Sequence, residues 1–131
     1  MLRERPFSLI LYLMAKHSKI GINGEQIAAN FLQNKGYQIL ERNWRYGKKE
    51  VDIIAIRGDM AILTEVKTRS SATLAYPEDA VNNQKQQHLR AAAQGFLEQY
   101  REYRHVRFDI VSILMEAGHV KQIIHFEEAF H

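Results

Sequence analysis

The chain has 131 residues, of which 46% are hydrophobic and 25% are charged. This length suits a single domain with one core, and the composition excludes an intrinsically disordered chain. The sequence contains no cysteine, which excludes disulfide scaffolds and thiolate metal sites and is typical of a cytoplasmic protein. The net charge of +3 permits nucleic acid as a partner but does not require it.

The N-terminal residues 1–20 are predicted to form an extension, and residues 21–131 a single domain. An apolar run over residues 7–15 follows two arginines, as in a signal peptide. Glu4 weakens this resemblance, and no small-residue cleavage site follows the run. The run is also too short for a bilayer, which needs about 20 residues. We therefore predict no membrane span and expect the extension to pack on the domain or on a partner.

A first helix and three β-rich runs are predicted at the beginning of the domain. The helix pattern covers residues 24–35 and ends at Gly36. The β-rich runs cover residues 37–46, 50–57 and 60–69. Because only Gly58 and Asp59 separate the last two runs, a two-residue hairpin is predicted there.

One long helix and two further strands are predicted in the C-terminal half. Pro77 is a favourable first helical residue, and the helix is expected to reach about residue 101. Strand patterns follow over residues 106–115 and 120–126, the second as an edge strand. The order α-β-β-β-α-β-β predicts an α/β fold with a mixed central sheet flanked by helices, because each helix carries one apolar stripe.

The predicted hairpin brings charged residues together across its two strands. Continuing its register places Asp52 opposite Glu65, and Glu50 opposite Lys67. Side chains alternate along a strand, so these four residues are predicted to project from one face. The opposite face is predicted to carry Val51, Ile53, Ala55, Thr64 and Val66.

Two facing carboxylates repel each other unless a positive charge lies between them. A divalent metal, Mg²⁺ or Mn²⁺, fits this place because Mg²⁺ prefers oxygen ligands, including one or two carboxylates. With Lys67 beside the scissile phosphate or the attacking water, the set suits metal-assisted phosphodiester hydrolysis. The alternative is a solvated face that carries the Glu50–Lys67 ion pair and tolerates Asp52 opposite Glu65.

Two charged residues lie on the apolar stripes of the predicted helices. Glu25 either adds a carboxylate to the metal site or complements the positive N-terminus of its helix. Lys85, between Val81 and Leu89 on one stripe, either reaches the site or a phosphate, or extends its amine to water. We slightly favour the second arrangement for Lys85.

Basic and aromatic residues alternate over residues 42–46, a pattern that suits phosphate contacts and base stacking. Trp44 itself is more simply interpreted as a buried strand residue, and His88 as a half-buried packing residue. The predicted nucleic-acid-binding residues are Arg42, Arg45, Lys48, Lys49, Arg69 and Lys85.

The spacing of Asp52, twelve residues and then Glu65-Val66-Lys67 resembles the PD-(D/E)XK nuclease superfamily. Within it, the chain is more closely similar to the YraN-like family of uncharacterised bacterial proteins. The shared segments are Gly24-Glu25, Gly36-Tyr37, residues 42–45, residues 50–54, residues 65–69, Ala80-Val81 with Lys85, and residues 107–110.

This resemblance implies a restriction-endonuclease-like core with a metal held by Asp52, Glu65 and the Val66 carbonyl. It implies Lys67 as the catalytic lysine and supports Glu25 as a further acidic group at the site. Lys49 departs from the glycine that is usual before the Glu50 position.

Three functions are predicted from these features. The first is a metal-dependent nuclease acting on DNA, with branched or single-stranded DNA as candidate substrates. The second is a nucleic-acid-binding module of the same fold without efficient cleavage. The third is an interaction protein that assembles, for instance as a homodimer, through its N-terminal apolar segment and edge strand.

Overall fold

The described part of the chain, residues 23–70 and 81–131 of a computed structural model, forms two helices and five strands. The helices are α1 (Gly24–Asn34) and α2 (Asn83–Gln99). The strands are β1 (Gln38–Tyr46), β2 (Lys49–Arg57), β3 (Met60–Arg69), β4 (His105–Glu116) and β5 (His119–Phe130). This confirms the predicted order of elements. The predicted N-terminal extension and Pro77 lie outside the described residues.

The five strands form one mixed sheet in the order β1-β2-β3-β4-β5. Neighbouring strands are antiparallel, except that β3 and β4 are parallel. Parallel neighbours need a long crossover, and the segment that contains α2 supplies it. The mixed sheet and the edge position of β5 are therefore as predicted.

The two helices pack on opposite faces of this sheet. Helix α1 buries Ile27 and Leu32 in one core, where the strands contribute Ile53, Ala55, Ile62, Val111 and Ile113. Helix α2 buries Leu89 and Phe96 in the other core, where the strands contribute Val51, Ile54, Ile56, Ala61, Leu63, Phe108 and Ile110. Neither helix of the described ranges is long and apolar enough to cross a membrane.

Helix α2 begins later than the Pro77 start predicted for it. Asn82 has an extended backbone, and its side-chain oxygen accepts a hydrogen bond from the Lys85 N–H at 2.9 Å. This N-cap satisfies a donor that the first turn leaves open, so the helix begins at Asn83. At the other end of the chain, β5 continues beyond residue 126, because Phe130 pairs with Phe108 after a bulge.

The β2–β3 hairpin has the predicted register from Arg57–Met60 to Ile53–Thr64. The predicted faces are wrong for Val51, which packs in the α2-side core although Ile53 packs in the α1-side core. Alternation therefore breaks at Asp52. In β1 the residue at the same level is Asn43, whose φ of 52° is left-handed. The hairpin is thus irregular where its charged residues begin.

Candidate active site

Asp52 lies where β2 separates from β3. The backbone pairing of these strands ends at Ile53–Thr64, and Asp52 Oδ2 accepts a hydrogen bond from the Val66 N–H at 2.8 Å. A side-chain oxygen therefore satisfies a donor of β3 beyond the last backbone pair. This bond fixes a half-buried carboxylate against the strand that carries Glu65 and Lys67.

Glu65 is the most buried acidic group of the candidate site, with 5% of its surface exposed. Its carboxylate forms an ion pair with Lys85 Nζ of α2. Burial and the nearby charge of Asp52 raise the pKa of Glu65, although Lys85 and Lys67 oppose this rise. The extension of Lys85 into water that we favoured is therefore wrong: its amine reaches the site, with 41% of the side chain still exposed.

Lys67 lies two residues after Glu65 on β3, half-buried and on the same side of the strand. The predicted pairs Asp52–Glu65 and Glu50–Lys67 are both absent from the register of β2 and β3, which ends at Ile53–Thr64. Glu50 pairs with Arg45 of β1 in the sheet, and the Arg45 guanidinium lies 3.3 Å from its carboxylate. The reason is the separation of β2 from β3, which ends their register before Glu50.

Helix α1 places Glu25 near Asp52. Burial and the charge of Asp52 raise the pKa of Glu25, whereas a hydrogen bond from Asn43 and the charge of Arg42 oppose the rise. Gly24 lets the start of α1 lie close to β3, because a Cβ there would lie 2.2 Å from Thr68 Oγ1. Glu25 also lies in the first turn of α1, so both roles predicted for it remain compatible with its position.

The oxygen donors of the site fit a hard divalent cation. Among the described residues, no group of three His, Cys, Asp or Glu forms a metal-binding cluster. Asp52 and Glu65 supply two carboxylates, which is the number that Mg²⁺ commonly takes from protein. Because Asp52 raises the pKa of Glu65, a cation between the two would relieve their repulsion.

The predicted nucleic-acid-binding residues divide into two groups. Arg45, Lys48, Lys49 and Lys85 line one cavity beside the site. Arg42 lies outside that lining and donates a hydrogen bond to Gln26 Oε1 of α1 at 2.6 Å. Arg69 also lies outside it, at the C-terminal end of β3.

Sequence reasoning missed three residues near the site. Asn43 hydrogen-bonds Glu25, and Gln84 and His88 line the cavity. The signal for His88 was its position three residues after Lys85, which puts both on neighbouring turns of one helix face. Nothing local identifies Asn43, because its role depends on a left-handed backbone and on the approach of α1.

A five-stranded mixed sheet between two helices, with Asp52, Glu65 and Lys67 where two central strands separate, defines a protein of the restriction-endonuclease-like class. The model of the uncharacterised protein family UPF0102 matches residues 24–113. The chain belongs to the UPF0102 family. This confirms the resemblance to the YraN-like proteins found in the sequence.

Relatives in this family cover nearly the whole chain. A UPF0102 protein of Christiangramia forsetii is 43% identical over 117 residues, which are 89% of this chain and 98% of that protein. A UPF0102 protein of Rhodococcus opacus is 41% identical over 118 residues, 89% of this chain and 100% of that protein. These names state a family and no activity.

Replacing Glu65 by Gln is expected to raise the Tm of the metal-free protein at neutral pH by about 2–4 °C. The pKa of Glu65 is raised above its ordinary value of 4.5 by burial and by Asp52. The folded state therefore holds this proton more tightly than the unfolded chain. The contribution of Glu65 to the stability of the folded protein therefore falls as the pH rises from 4.5 through the folded-state pKa. Glutamine removes the charge and keeps the shape.

This effect would be measured by thermal unfolding in EDTA, with Glu98→Gln on the exposed side of α2 as the control. The control is expected to leave the Tm unchanged. A Glu65→Gln protein that melts below wild type would contradict the prediction, because the Lys85 pair would then outweigh the cost of burying the charge.

Proposed function

We propose that this protein is a metal-dependent nuclease that hydrolyses phosphodiester bonds in DNA. The observation that supports this most is the position of Asp52 and Glu65 beside Lys67 and Lys85, where β2 separates from β3. A surface that only bound phosphates would be weakened by two carboxylates, because they repel the nucleic-acid backbone. A hydrolytic site needs them to hold a cation.

Each residue of the site has a proposed part. Asp52, Glu65 and the Val66 carbonyl would hold Mg²⁺ or Mn²⁺. Such a metal polarises the phosphate and makes water more nucleophilic. The Val66 N–H fixes Asp52 by its 2.8 Å hydrogen bond, and Lys85 fixes Glu65 by their ion pair.

Lys67 and Glu25 would act around these ligands. The Lys67 ammonium, on the same side of β3 as Glu65, would stabilise negative charge on the scissile phosphate or orient the attacking water. Glu25 would add a carboxylate beside Asp52, oriented by the amide of Asn43. The interaction between them is electrostatic, since the charge of Asp52 helps to raise the pKa of Glu25.

Basic residues around the site would position the DNA strand. Arg45, Lys48 and Lys49 lie together on the cavity wall, where phosphate contacts would fix the strand beside Lys85. Arg42 and Arg69 would contact phosphates farther along. These contacts carry no sequence information, so they favour a nuclease that selects DNA by structure rather than by base sequence.

A second candidate function is nucleic-acid binding without efficient cleavage. The Lys85 ammonium already neutralises Glu65 in this structure, which lowers the local demand for a metal ion. In that case the basic residues of the cavity would bind the DNA strand, and Asp52 and Glu65 would not support its hydrolysis.

Cleavage of labelled single-stranded, duplex, flap and four-way-junction DNA with Mg²⁺ or Mn²⁺ tests the nuclease proposal. The wild type is expected to cut at least one substrate, only with metal, and Asp52→Ala is expected to reduce cutting to background. Asp59→Ala, in the turn at the other end of the hairpin, is the matched control and should cut as wild type does. Equal behaviour of wild type and Asp52→Ala on every substrate would favour the binding function.

A further inference from the structure

A cavity of about 550 Å³ opens beside the candidate active site, between the β1–β2 turn and the first half of α2. Lys85 belongs to both places, because it lines the cavity and forms the ion pair with Glu65. The volume lies in the range of pockets that enclose small organic groups. If the scissile phosphate of a DNA strand lay at Asp52 and Glu65, the neighbouring nucleotide of that strand would therefore lie at the mouth of this cavity.

The two walls of the cavity differ in chemistry. The β1–β2 side contributes the cations Arg45, Lys48 and Lys49, together with Glu50, whose carboxylate pairs with Arg45 and leaves Lys48 and Lys49 for a phosphate. The α2 side contributes the amides of Asn82 and Gln84, the imidazole of His88 and the buried apolar side chain of Leu89. Its one cation, Lys85, is paired with Glu65. One wall suits a phosphate, and the other suits the edge and face of a nucleobase.

His88 has a buried ring nitrogen that lacks a hydrogen-bond partner among residues 23–70 and 81–131. Its Nε2 atom is inaccessible and makes no hydrogen bond with any described residue. Burial and the charges of Lys49 and Lys85 lower the pKa of His88, so the ring is neutral at neutral pH. Buried polar atoms are nearly always hydrogen-bonded. Because the His88 ring lines the cavity, a rotation of the ring as a base enters would expose Nε2, and a neutral imidazole nitrogen can then bond the edge of that base.

An aromatic row continues from His88 along the same side of the sheet. The ring of Tyr46 lies 6.3 Å from that of His88 and stacks on Trp44 at 6.0 Å. Gly95 of α2 makes room for Tyr46, because a Cβ there would lie 2.3 Å from the tyrosine ring. Tyr46 remains 37% exposed, which leaves an aromatic surface for a base next to the cavity.

We propose that this cavity holds one unpaired nucleotide of the DNA strand next to the scissile phosphate. Its phosphate lies against Lys48 and Lys49, and its base lies against His88 and Gln84. This assignment rests on the proposed function for the location of the scissile phosphate. A base inside a duplex has its pairing edge occupied and cannot enter a cavity without unpairing, so the protein selects single-stranded or flap DNA over duplex.

Binding without cleavage tests this assignment. Fluorescence anisotropy in EDTA would compare the full-length protein with a labelled single strand, the matching duplex, and a single strand of abasic residues. The wild type is expected to bind the single strand about 10-fold more tightly than the duplex, as one base contact of about 1.4 kcal/mol provides. His88→Phe and Gln84→Ala are each expected to lose about 3- to 10-fold on the base-containing strand and nothing on the abasic strand.

Gln94→Ala, on α2 but outside this cavity, is the matched control and is expected to bind all three probes as wild type does. Trp44 fluorescence checks that the variants are folded. Equal affinity of wild type for single strand and duplex would overturn the assignment, and so would losses that are the same on the abasic strand.

The outcome is separable from that of the nuclease proposal. If His88→Phe and Gln84→Ala lose single-strand selectivity while the wild type cuts no substrate, the cavity assignment holds and the nuclease proposal fails. If the wild type cuts DNA but both variants bind like wild type, the nuclease proposal holds and the cavity assignment fails. A wild type that neither binds nor cuts DNA overturns both.

Discussion

Under the proposed nuclease function, a Lys67→Met protein is expected to cleave DNA about 10²- to 10⁴-fold more slowly than wild type while binding DNA with nearly unchanged affinity. Lys67 shares its side of β3 with Glu65, and Lys85 cannot replace it because the Lys85 amine is paired with Glu65. Methionine keeps the length and apolar stem of the side chain but removes the cation. A loss confined to the chemical step is the mark of a group that acts in the transition state.

Single-turnover rate constants at saturating protein, with Mg²⁺ or Mn²⁺, would measure this loss, and metal-free anisotropy would give the affinity. Lys121→Met on β5 is the control, since Lys121 is exposed and pairs only with Glu116 among the ion pairs of the described residues. If Lys67→Met cleaved within threefold of wild type, the catalytic role would pass from Lys67 to another cation of the site.

The parts of the site that depend on local geometry were predictable from the sequence. A two-residue turn at Gly58 and Asp59 fixes the register of its strands, and the observed pairs follow it as far as Ile53–Thr64. Glu65 and Lys67 share a side of β3 because the period of a strand is two. The order of elements followed from hydrophobic patterns and turn residues in the same way.

The parts that depend on distant chain segments were not predictable. The alternation of side chains along β2 breaks at Asp52, beside Asn43 of β1. The left-handed backbone of Asn43 cannot be predicted from any pattern in the sequence of β2. This break explains why the predicted face of Val51 and the predicted position of Glu50 opposite Lys67 differ from the structure. Whether Lys85 turned to water or to Glu65 depended on how α2 packs over β3, which a helix stripe alone does not determine.

The largest effect on stability is expected at Asp109, a buried carboxylate on β4 with 1% of its surface exposed. It accepts hydrogen bonds from Arg107 Nη2 at 2.8 Å and from His125 Nε2 at 2.7 Å. The N–H of Glu128 donates a further bond at 3.0 Å. Because both His125 and Glu128 belong to β5, these hydrogen bonds to Asp109 connect the edge strand β5 to β4.

This network also includes Lys35 at the end of α1, and it determines which ring nitrogen of His125 donates a hydrogen bond. Lys35 lies just after the last residue of α1, and its Nζ is 2.8 Å from His125 Nδ1. An ammonium only donates and an ionised carboxylate only accepts, so His125 accepts from Lys35 through Nδ1 and donates to Asp109 through Nε2. Removing the carboxylate of Asp109 would leave Arg107 and the His125 N–H without their shared acceptor.

Asp109→Ala is therefore expected to lower the free energy of unfolding by about 3–5 kcal/mol, as the loss of one partner of a buried ion pair does. Urea unfolding followed by the fluorescence of Trp44, the single tryptophan, would measure it. Asp59→Ala in the exposed hairpin turn is expected to change the value by less than about 0.5 kcal/mol. If Asp109→Ala does not fold, Asp109→Asn is measured instead, and it is expected to lower the free energy of unfolding by a smaller amount.

The difference between wild type and Asp109→Asn is also expected to depend on pH. Burial alone would raise the pKa of Asp109, but hydrogen bonds from His125, Arg107 and the Glu128 N–H outweigh it and hold the pKa below 3.8. The unfolded chain therefore takes up this proton first as the pH falls. The stabilisation is complete well above pH 3.8 and is lost as the pH falls through the lower folded-state pKa. A difference unchanged between pH 7 and pH 3 would mean that the shape of the side chain, and not its charge, holds β5 in place.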